Sequence, residues 1–261
     1  MLARERQNYI LGKLRLRPAI SAASLANELG CSRSTVQRDL RDLAARGEIE
    51  RQFGGATRPH SDTIMSSFNE SALDAKLDRN APAKRMVAAA ALNEVRDGDL
   101  VFIDTGSTPL FLLPGLAEKR VIIVTNSVAV VTRLAGAQLE SYLLGGSYDA
   151  RYQATMGAIS IREIRDFRFD LAILGANGVD LELGEVFVSE YQIGEIKRSV
   201  LERAKRAVLL IDDTKFDYTG VCRYAMLDDF DRVFVNRIPG GQPAPDNFTL
   251  VDSPDQAQEA P

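Results

Sequence analysis

Short apolar runs alternate with helical patterns from about residue 81 onward, and this order constrains the fold more than any other feature of the chain. The runs are "DLVFID" (99–104), "VIIVT" (121–125), "YLLGG" (142–146), "DLAILGA" (170–176), "AVLLID" (207–212) and "RVFV" (232–235). Their length and composition are typical of strands buried on both faces. Helical patterns lie between them, so the order predicts an α/β domain with a mostly parallel sheet covered by helices on both sides.

Polar residues and glycines follow the ends of these predicted strands, where a parallel sheet of this kind binds its ligands. A glycine and hydroxyl groups at a strand-to-helix turn suit a phosphate or another anion. Such a turn is also a common helix cap, so the prediction depends on two of them, "DTGSTP" and "TNS", following neighbouring strands. The candidate effector-binding residues are Asp104, Gly106, Ser107, Thr108, Thr125, Asn126, Ser127, Gly146, Asp180 and Lys215, with Lys215 placed to neutralise the anion.

The first 47 residues have a different pattern, which predicts three short helices. The first spans about 4–15. The second ends at Gly30, which suits a left-handed C-cap, and the third starts after the N-cap Ser32 and stops at Gly47. Two helices joined by a tight turn that contains glycine are typical of a helix-turn-helix.

The third helix, within "CSRSTVQRDLRDLAARGEIE" (31–50), has one apolar stripe and one polar face. Val36, Leu40, Leu43 and Ala44 recur at helical spacing, which leaves the arginines on other faces. Hydroxyls and arginines can bind phosphates, and Gln37 can read an adenine edge. The candidate DNA-binding residues are Ser32, Arg33, Ser34, Thr35, Gln37, Arg38, Arg41 and Arg51. The alternative is a solvated face with an ion pair between Arg38 and Asp42.

The segment "GEIERQFGGATR" (47–58) predicts a wing beside this helix. Residues 48–51 alternate as in a short strand, Gly54 and Gly55 form a turn, and residues 56–58 return. The wing places Arg51 and Arg58 near a flanking phosphate track.

Charge is distributed unevenly along the chain. Residues 1–58 carry eleven Lys or Arg and six Asp or Glu, a net charge of +5, whereas the whole chain carries −4. A basic first segment ahead of an acidic remainder indicates that one end binds a polyanion.

The segments "SAASLANELGCS" and "STVQRDLRDLAARGEIERQFGGA" resemble the winged helix-turn-helix of the DeoR family of bacterial transcriptional regulators. The family usually has arginine where this chain has Gln37 and histidine where it has Phe53, and both departures bear on operator sequence. The turns D-x-G-[ST]-T, T-N-[ST], L-x-G-G, G-x-x-G-[IV]-D and D-x-[ST]-K-[FHY] recur in family order, so the resemblance covers about 4–237. It implies a fold similar to ribose-5-phosphate isomerase and the CoA transferases, and a repressor released by a phosphorylated sugar or related metabolite.

This resemblance divides the chain into four parts. They are a winged helix-turn-helix that is otherwise all-α (1–57), a linker (58–75), an effector-sensing and oligomerisation domain (76–237) and a mobile C-terminal tail (238–261), in which 248–251 can form a short strand. The partners expected are double-stranded operator DNA, a phosphorylated sugar and further copies of the chain as a dimer or tetramer. Half-sites about 34 Å apart require at least a dimer.

Two other functions stay open on sequence alone. A sugar-phosphate isomerase needs a carboxylate base, and this chain has Asn177 where the isomerases that it resembles have an aspartate, although Glu182, Glu185 and Glu190 remain as candidates. The sensor site could also be vestigial, with the domain serving only to form oligomers.

Further expectations concern what the chain lacks. Cys31 and Cys222 have no companions at metal-ligand spacing, so neither a metal nor another cofactor is expected, and His60, the one histidine, is expected in the linker without a catalytic role. No apolar run approaches the roughly 18 residues of a membrane helix, so a cytoplasmic protein is expected.

Overall fold

A computed structural model describes residues 3–16, 19–46, 48–52, 55–57, 64–65, 72–239 and 243–251. They belong to two compact units, 1–63 and 64–261. The positions Gly47, Phe53, Gly54, Arg58 and His60 lie outside the described ranges, so the predictions made for them stay predictions. Within those ranges, no helix combines the length and the apolar composition needed to cross a membrane.

The first unit contains three helices and a small sheet, which confirms the helix-turn-helix and the wing strands. The helices are α1 (Ala3–Leu16), α2 (Ala22–Leu29) and α3 (Arg33–Ala45), and the strands are β1 (Ala19–Ser21), β2 (Glu50–Gln52) and β3 (Gly55–Thr57). Oγ of Ser32 accepts a hydrogen bond from the backbone N of Thr35 at 3.2 Å, and Gly30 is left-handed with a φ of 58°. Both predicted caps are therefore confirmed.

Strand β1 is a feature that the sequence pattern did not predict. It pairs antiparallel with β3, which also pairs with β2, so β3 is the central strand. At Gly55 the two backbones are so close that a Cβ would lie 2.1 Å from the carbonyl oxygen of Ile20. Only glycine permits this approach.

The second unit is built on seven parallel strands, which confirms the predicted sheet. Their order is β17-β16-β13-β10-β5-β6-β7. The bounds are β5 (Leu100–Ile103), β6 (Ile122–Thr125), β7 (Glu140–Leu143), β10 (Leu171–Gly175), β13 (Ala207–Leu210), β16 (Arg232–Val235) and β17 (Phe248–Leu250). Five of these coincide with predicted apolar runs, and each neighbouring pair is parallel. The prediction of a strand buried on both faces at 142–146 is wrong, because β7 shares only residues 142–143 with that run and is an exposed strand at the edge of the sheet.

Helices cover both faces of this sheet, because successive strand residues point to opposite sides. The helices of this unit are α4 (Leu73–Asp78), α5 (Ala81–Ala91), α6 (Leu113–Leu116), α7 (Val128–Arg133), α8 (Ala158–Ile164) and α9 (Tyr191–Leu201). Phe102 and Leu174 pack in a core cluster with α9, whereas Val101 and Ile173 pack in a second cluster with α5.

Short strands outside the main sheet were not predicted. An antiparallel sheet contains β11 (Gly178–Asp180), β12 (Glu185–Val188) and β15 (Cys222–Met226). A hairpin contains β8 (Ser147–Asp149) and β9 (Ala154–Met156). Strand β4 (Ile64–Met65) pairs in parallel with β14 (Thr219–Gly220). Two of these pairings, β12 with β15 and β4 with β14, join segments that are distant in the chain, which a local pattern cannot show.

Two predicted boundaries differ from the structure. The predicted linker, 58–75, contains β4 and the first turn of α4, where Leu73 is buried in the core of the second unit. The predicted tail, 238–261, begins with the buried Ile238 and contributes β17 to the edge of the main sheet. Apolar side chains at Leu73, Ile238 and Phe248 fix these segments, because their burial outweighs the polar composition around them.

Candidate nucleic-acid interface and anion pocket

Helix α3 presents the predicted polar face to solvent. Its apolar stripe, Val36, Leu40 and Leu43, is fully buried in the first unit. The residues exposed or partly exposed on the other faces are Ser32, Arg33, Ser34, Thr35, Gln37, Arg38 and Arg41. Arg38 and Asp42 form no ion pair among the described residues. The alternative prediction, a solvated face with an ion pair between these two residues, therefore has no support from the structure.

One acidic residue of α3 has a purely structural partner. Asp39 is buried and accepts two hydrogen bonds from Arg6 of α1, at 2.7 Å from Nε and 3.1 Å from Nη2. This two-point pair fixes α1 against α3.

The wing and α3 are joined by a side-chain hydrogen bond. Arg51, which is exposed on β2, donates from Nη2 to Oε1 of Gln37 at 2.9 Å. At the start of α3, Oγ of Ser32 lies 2.8 Å from Oγ of Ser34 and 2.9 Å from Oγ1 of Thr35. All eight predicted DNA-binding residues thus belong to α3, its N-cap or the adjoining wing strand.

A pocket opens at the carboxyl ends of β5 and β10, the edge that the sequence predicted. Predicted residues that line it are Asp104, Gly106, Ser107, Thr108 and Lys215. Other residues that line it are Lys76, Thr105, Pro109, Tyr152, Gly175, Ala176, Asn177, Ile193 and Lys197. Three of its side chains are lysines, and its one carboxylate is that of Asp104.

The loop after β5 offers hydrogen-bond donors to this pocket. Within the described part of the chain, the backbone N–H groups of residues 105–108 donate no hydrogen bond. The hydroxyls of Thr105, Ser107 and Thr108 also have no partner there, although these side chains are largely enclosed. Successive free amides beside hydroxyls bind anions well.

Asp104 is held by a buried lysine that sequence reasoning missed. Nζ of Lys197, on α9, lies 2.5 Å from Oδ2 of Asp104 and 2.8 Å from the carbonyl oxygen of Gly175. The same Oδ2 accepts from the backbone N of Gly175 at 3.0 Å. The two side chains are only 4% and 2% exposed, so the pair is fully desolvated.

The remaining lysines of the pocket are Lys76 and Lys215, and both are partly buried. Burial, followed by the positive charges of Lys215 and Lys197, lowers the pKa of Lys76 to about 7. Burial is also the main cause that lowers the pKa of Lys215, which makes no hydrogen bond or ion pair among the described residues. An anion placed between these ammonium groups would relieve their repulsion.

A further buried lysine supports the segment that carries Lys76. Nζ of Lys84, on α5, donates to the carbonyl oxygens of Lys76 and Arg79. These carbonyls lie at and just beyond the last turn of α4, so Lys84 satisfies acceptors that the helix end leaves open. Burial lowers the pKa of Lys84 to about 8.

The structure places the predicted "TNS" turn outside the pocket. Thr125 donates from Oγ1 to the carbonyl oxygen of Ile103 at 2.6 Å, and Oγ of Ser127 accepts from the N of Val130 at 3.3 Å to cap α7. Asn126 donates from Nδ2 to the carbonyl oxygen of Thr155 at 2.8 Å. These three buried residues support the end of β6, and none of them lines the pocket.

Gly146 and Asp180 also have local structural roles and lie off the pocket lining. Gly146 has a φ of 137°, and a Cβ there would lie 2.4 Å from the carbonyl oxygen of Met156. Oδ1 of Asp180 accepts from the backbone N of Glu182 and of Leu183, at 2.8 and 2.9 Å, which closes the turn between β11 and β12.

A sequence signal for the missed lysines does exist. Lys197 falls on the apolar stripe of α9 with Ile193, Ile196 and Val200, all of which are buried. Lys76 follows Leu73 by three residues on α4 in the same way. A lysine on an apolar stripe must be buried, and it then needs an acceptor or an anion nearby.

Each of the two units matches a known protein family. Residues 79–237 match the family described as the DeoR C terminal sensor domain, and residues 6–54 match a family described as an HTH domain. The HTH-type transcriptional regulator GlpR of Haloferax volcanii is 32% identical, over 88% of this chain and 89% of that protein.

Two further relatives differ in the sign of regulation. The glycerol-3-phosphate regulon repressor of Escherichia coli is 27% identical, over 90% of this chain and 91% of that protein. The L-fucose operon activator of Haemophilus influenzae is 28% identical, over 89% of this chain and 91% of that protein.

Among solved structures, ribose 5-phosphate isomerase A of Methanocaldococcus jannaschii gives a TM-score of 0.40 at 20% identity, over 52% of this chain and 55% of that one.

Proposed function

The chain belongs to the DeoR family of DNA-binding transcriptional regulators, and we propose that it is a repressor released by a phosphorylated sugar or a related phosphorylated metabolite. The first unit binds operator DNA through α3 and the wing. The second unit binds the effector at the carboxyl edge of its parallel sheet.

The observation that carries the effector assignment is the charge of the pocket. Lys76, Lys197 and Lys215 line it with the single carboxylate of Asp104, which Lys197 already neutralises. The free amides and hydroxyls of residues 105–108 supply the donors that a phosphate group accepts. A dianion that binds Lys76 and Lys215 gains charge-assisted hydrogen bonds in a partly buried site.

The uncharged side of the pocket suits the remainder of a small polyol. Asn177 and Tyr152 provide polar groups, and Ile193 and Pro109 provide apolar surface. One relative is named for a glycerol-3-phosphate regulon, which is consistent with an effector of this size. Another relative is named as an activator, so the direction of control needs its own experiment.

Release follows from linkage between the two sites. An effector that binds more tightly to an arrangement of the chains that does not fit two half-sites lowers operator affinity by the coupling free energy, about 1–3 kcal/mol. Two half-sites require at least two copies of the chain, so we propose a homo-oligomer. Its place of action is the cytoplasm, where the operator is.

The same groups favour binding over catalysis. An isomerase needs a free carboxylate base, whereas the carboxylate of Asp104 accepts a hydrogen bond from Lys197. Glu185 pairs with Arg223 at 2.6 Å, and Glu190 caps α9. These contacts make an isomerase the less favoured alternative. Turnover of a sugar phosphate by the purified protein would establish that the protein is an enzyme.

The effector is tested by thermal unfolding of the full chain with phosphorylated sugars and their unphosphorylated parents. A ligand at 100 times its Kd adds about 2.7 kcal/mol to the free energy of unfolding, which raises the midpoint by several degrees. The shift should occur only with the phosphorylated form and disappear in Lys215→Ala with Ser107→Ala. Equal shifts with both forms would contradict the anion site.

The direction of control is tested with DNA that the protein selects from random sequence. A ligand that raises the midpoint should lower the affinity for that DNA about fivefold or more. A higher affinity would show that the ligand promotes DNA binding.

A further inference from the structure

The hydrogen bond between Gln37 and Arg51 changes what this part of the protein presents to DNA. Gln37 lies in the middle of the exposed row on α3, four residues after Arg33 and four before Arg41. Arg51 reaches it from the wing strand, and Nη2 lies 2.9 Å from Oε1. The two side chains therefore form one unit on the surface that carries the other candidate DNA-binding residues.

The chemistry of arginine fixes the orientation of the Gln37 amide. A guanidinium group has five N–H donors and no acceptor, so only the amide oxygen can face it. The oxygen of Gln37 is then beside a positive charge, and its amide nitrogen points away with two N–H donors. Arg51 keeps its remaining N–H donors. The exposed edge of the pair offers donors and a positive charge.

This arrangement disfavours the adenine contact expected for an isolated glutamine. A glutamine that reads adenine accepts from N6 and donates to N7, so it needs its oxygen free. Guanine instead presents two acceptors, N7 and O6, in the major groove. An edge made only of donors matches guanine at both atoms and matches adenine at only one.

We propose that Gln37 and Arg51 act together as one donor-only element that selects a guanine in each operator half-site. Gln37 holds the guanidinium of Arg51 against α3, and the donors of the two residues meet N7 and O6. Specificity at this base then depends on a contact between the wing and the helix rather than on either side chain alone.

The test is selection of random-sequence duplexes by the full-length protein, followed by sequencing of the bound DNA. The wild type should prefer guanine at one position of each half-site. Gln37→Ala and Arg51→Ala should each reduce that preference about fivefold or more at the same position. The double variant should lose little beyond the larger single effect, because the pair acts as a unit.

A matched control is available in the same unit. Arg46, the C-cap residue of α3, donates from Nη2 to Oε1 of Gln7 on α1 at 3.0 Å, which is the same kind of hydrogen bond, and from Nε to Oε1 of Glu48 at 2.5 Å. Arg46→Ala removes one arginine, its bond to Gln7 and its ion pair with Glu48, and it should leave the base preferences unchanged.

Three results would overturn the proposal. The first is a wild-type preference for adenine at the position that Gln37→Ala weakens. The second is that Gln37→Ala and Arg51→Ala change the preference at different positions. The third is that Arg51→Ala lowers the affinity for all sequences equally and lowers the salt slope, which would indicate that Arg51 contacts a phosphate. A second measurement needs no variant: replacing the selected guanine by 7-deazaguanine removes N7 and should weaken wild-type binding about fivefold. Unchanged affinity would overturn the proposal as well.

Discussion

Nζ of Lys197 lies 2.5 Å from Oδ2 of Asp104, and the two residues are 93 positions apart in the chain. The pair joins the end of β5 to the middle of α9 and also engages both backbone groups of Gly175 at the end of β10. The ring of Tyr224, 5.1 Å from Nζ, covers the ammonium group. The pair therefore fixes the floor of the anion pocket as well as part of its charge.

Removing one partner of this pair should destabilise the second unit strongly. Asp104→Ala leaves the buried ammonium of Lys197 without its counter-charge, which costs about 3–5 kcal/mol of the free energy of unfolding. The control is Lys205→Ala, which removes an ion pair with Asp170 whose lysine is 55% exposed, and should cost about 1 kcal/mol or less. Urea unfolding measures both, and equal losses would contradict the importance of burial.

Binding of an anion should take up a proton near neutral pH. The pKa of Lys76 is about 7 in the free protein, lowered by burial and by Lys215 and Lys197, and a bound anion raises it. Affinity is then highest below pH 7 and falls above it, by up to about tenfold per pH unit until the bound pKa is passed.

A sulfate ester is the suitable probe for this titration, because its charge is constant over the range whereas a phosphate titrates near pH 6. Lys76→Arg, which stays charged, should bind the probe with no such slope. A slope retained in that variant would assign the proton to another group.

Lys215 should lower stability while it serves binding. Its pKa is lowered chiefly by burial, so its charged form is disfavoured in the folded state. The resulting loss of stability is present at pH values below the unfolded pKa and disappears above it. At pH 7, Lys215→Met should therefore raise the midpoint of thermal unfolding but weaken anion binding about tenfold or more. Lys197→Met should lower the midpoint instead, because it leaves Asp104 buried without its partner. A lower midpoint in Lys215→Met would contradict this account.

Arg38 should contribute one phosphate contact to DNA binding. It is exposed on α3 and has no ion-pair partner among the described residues. Arg38→Ala should reduce the slope of log affinity against log salt by about 0.9. Arg232→Ala, at an exposed arginine of the second unit, is the control with an expected unchanged slope. An unchanged slope in Arg38→Ala would remove this residue from the phosphate track.

Two glycines of the first unit should respond to alanine in opposite directions. Gly55→Ala places a Cβ 2.1 Å from the carbonyl oxygen of Ile20, so β1 and β3 must separate and DNA binding should weaken together with stability. Gly12, within α1, has open space around it, and Gly12→Ala should add about 0.5–1 kcal/mol of stability through helix propensity. Thermal unfolding compares the two, and tolerance of alanine at position 55 would contradict the β1–β3 pairing.

The sequence determined the features that depend on local periodicity. The caps at Gly30 and Ser32, the apolar stripe of α3 and five of the parallel strands were predicted, because hydrophobic spacing and cap chemistry act over a few residues. The edge of the sheet that carries the pocket followed from strand direction alone. The lysines on the stripes of α4 and α9 also follow local periodicity, because they recur with the apolar residues of each helix.

Only the tertiary structure decided which of these residues meet. The strand order β13-β10-β5 brings Lys215 and Asp104 to one edge, and the packing of α9 on the sheet buries Lys197 against that aspartate. The same packing leaves Asn126 and Asp180 in structural roles, although their motifs resembled that of Asp104. Convergence of distant segments depends on the burial of whole surfaces against one another, and a single strand-end motif carries no information about its neighbours.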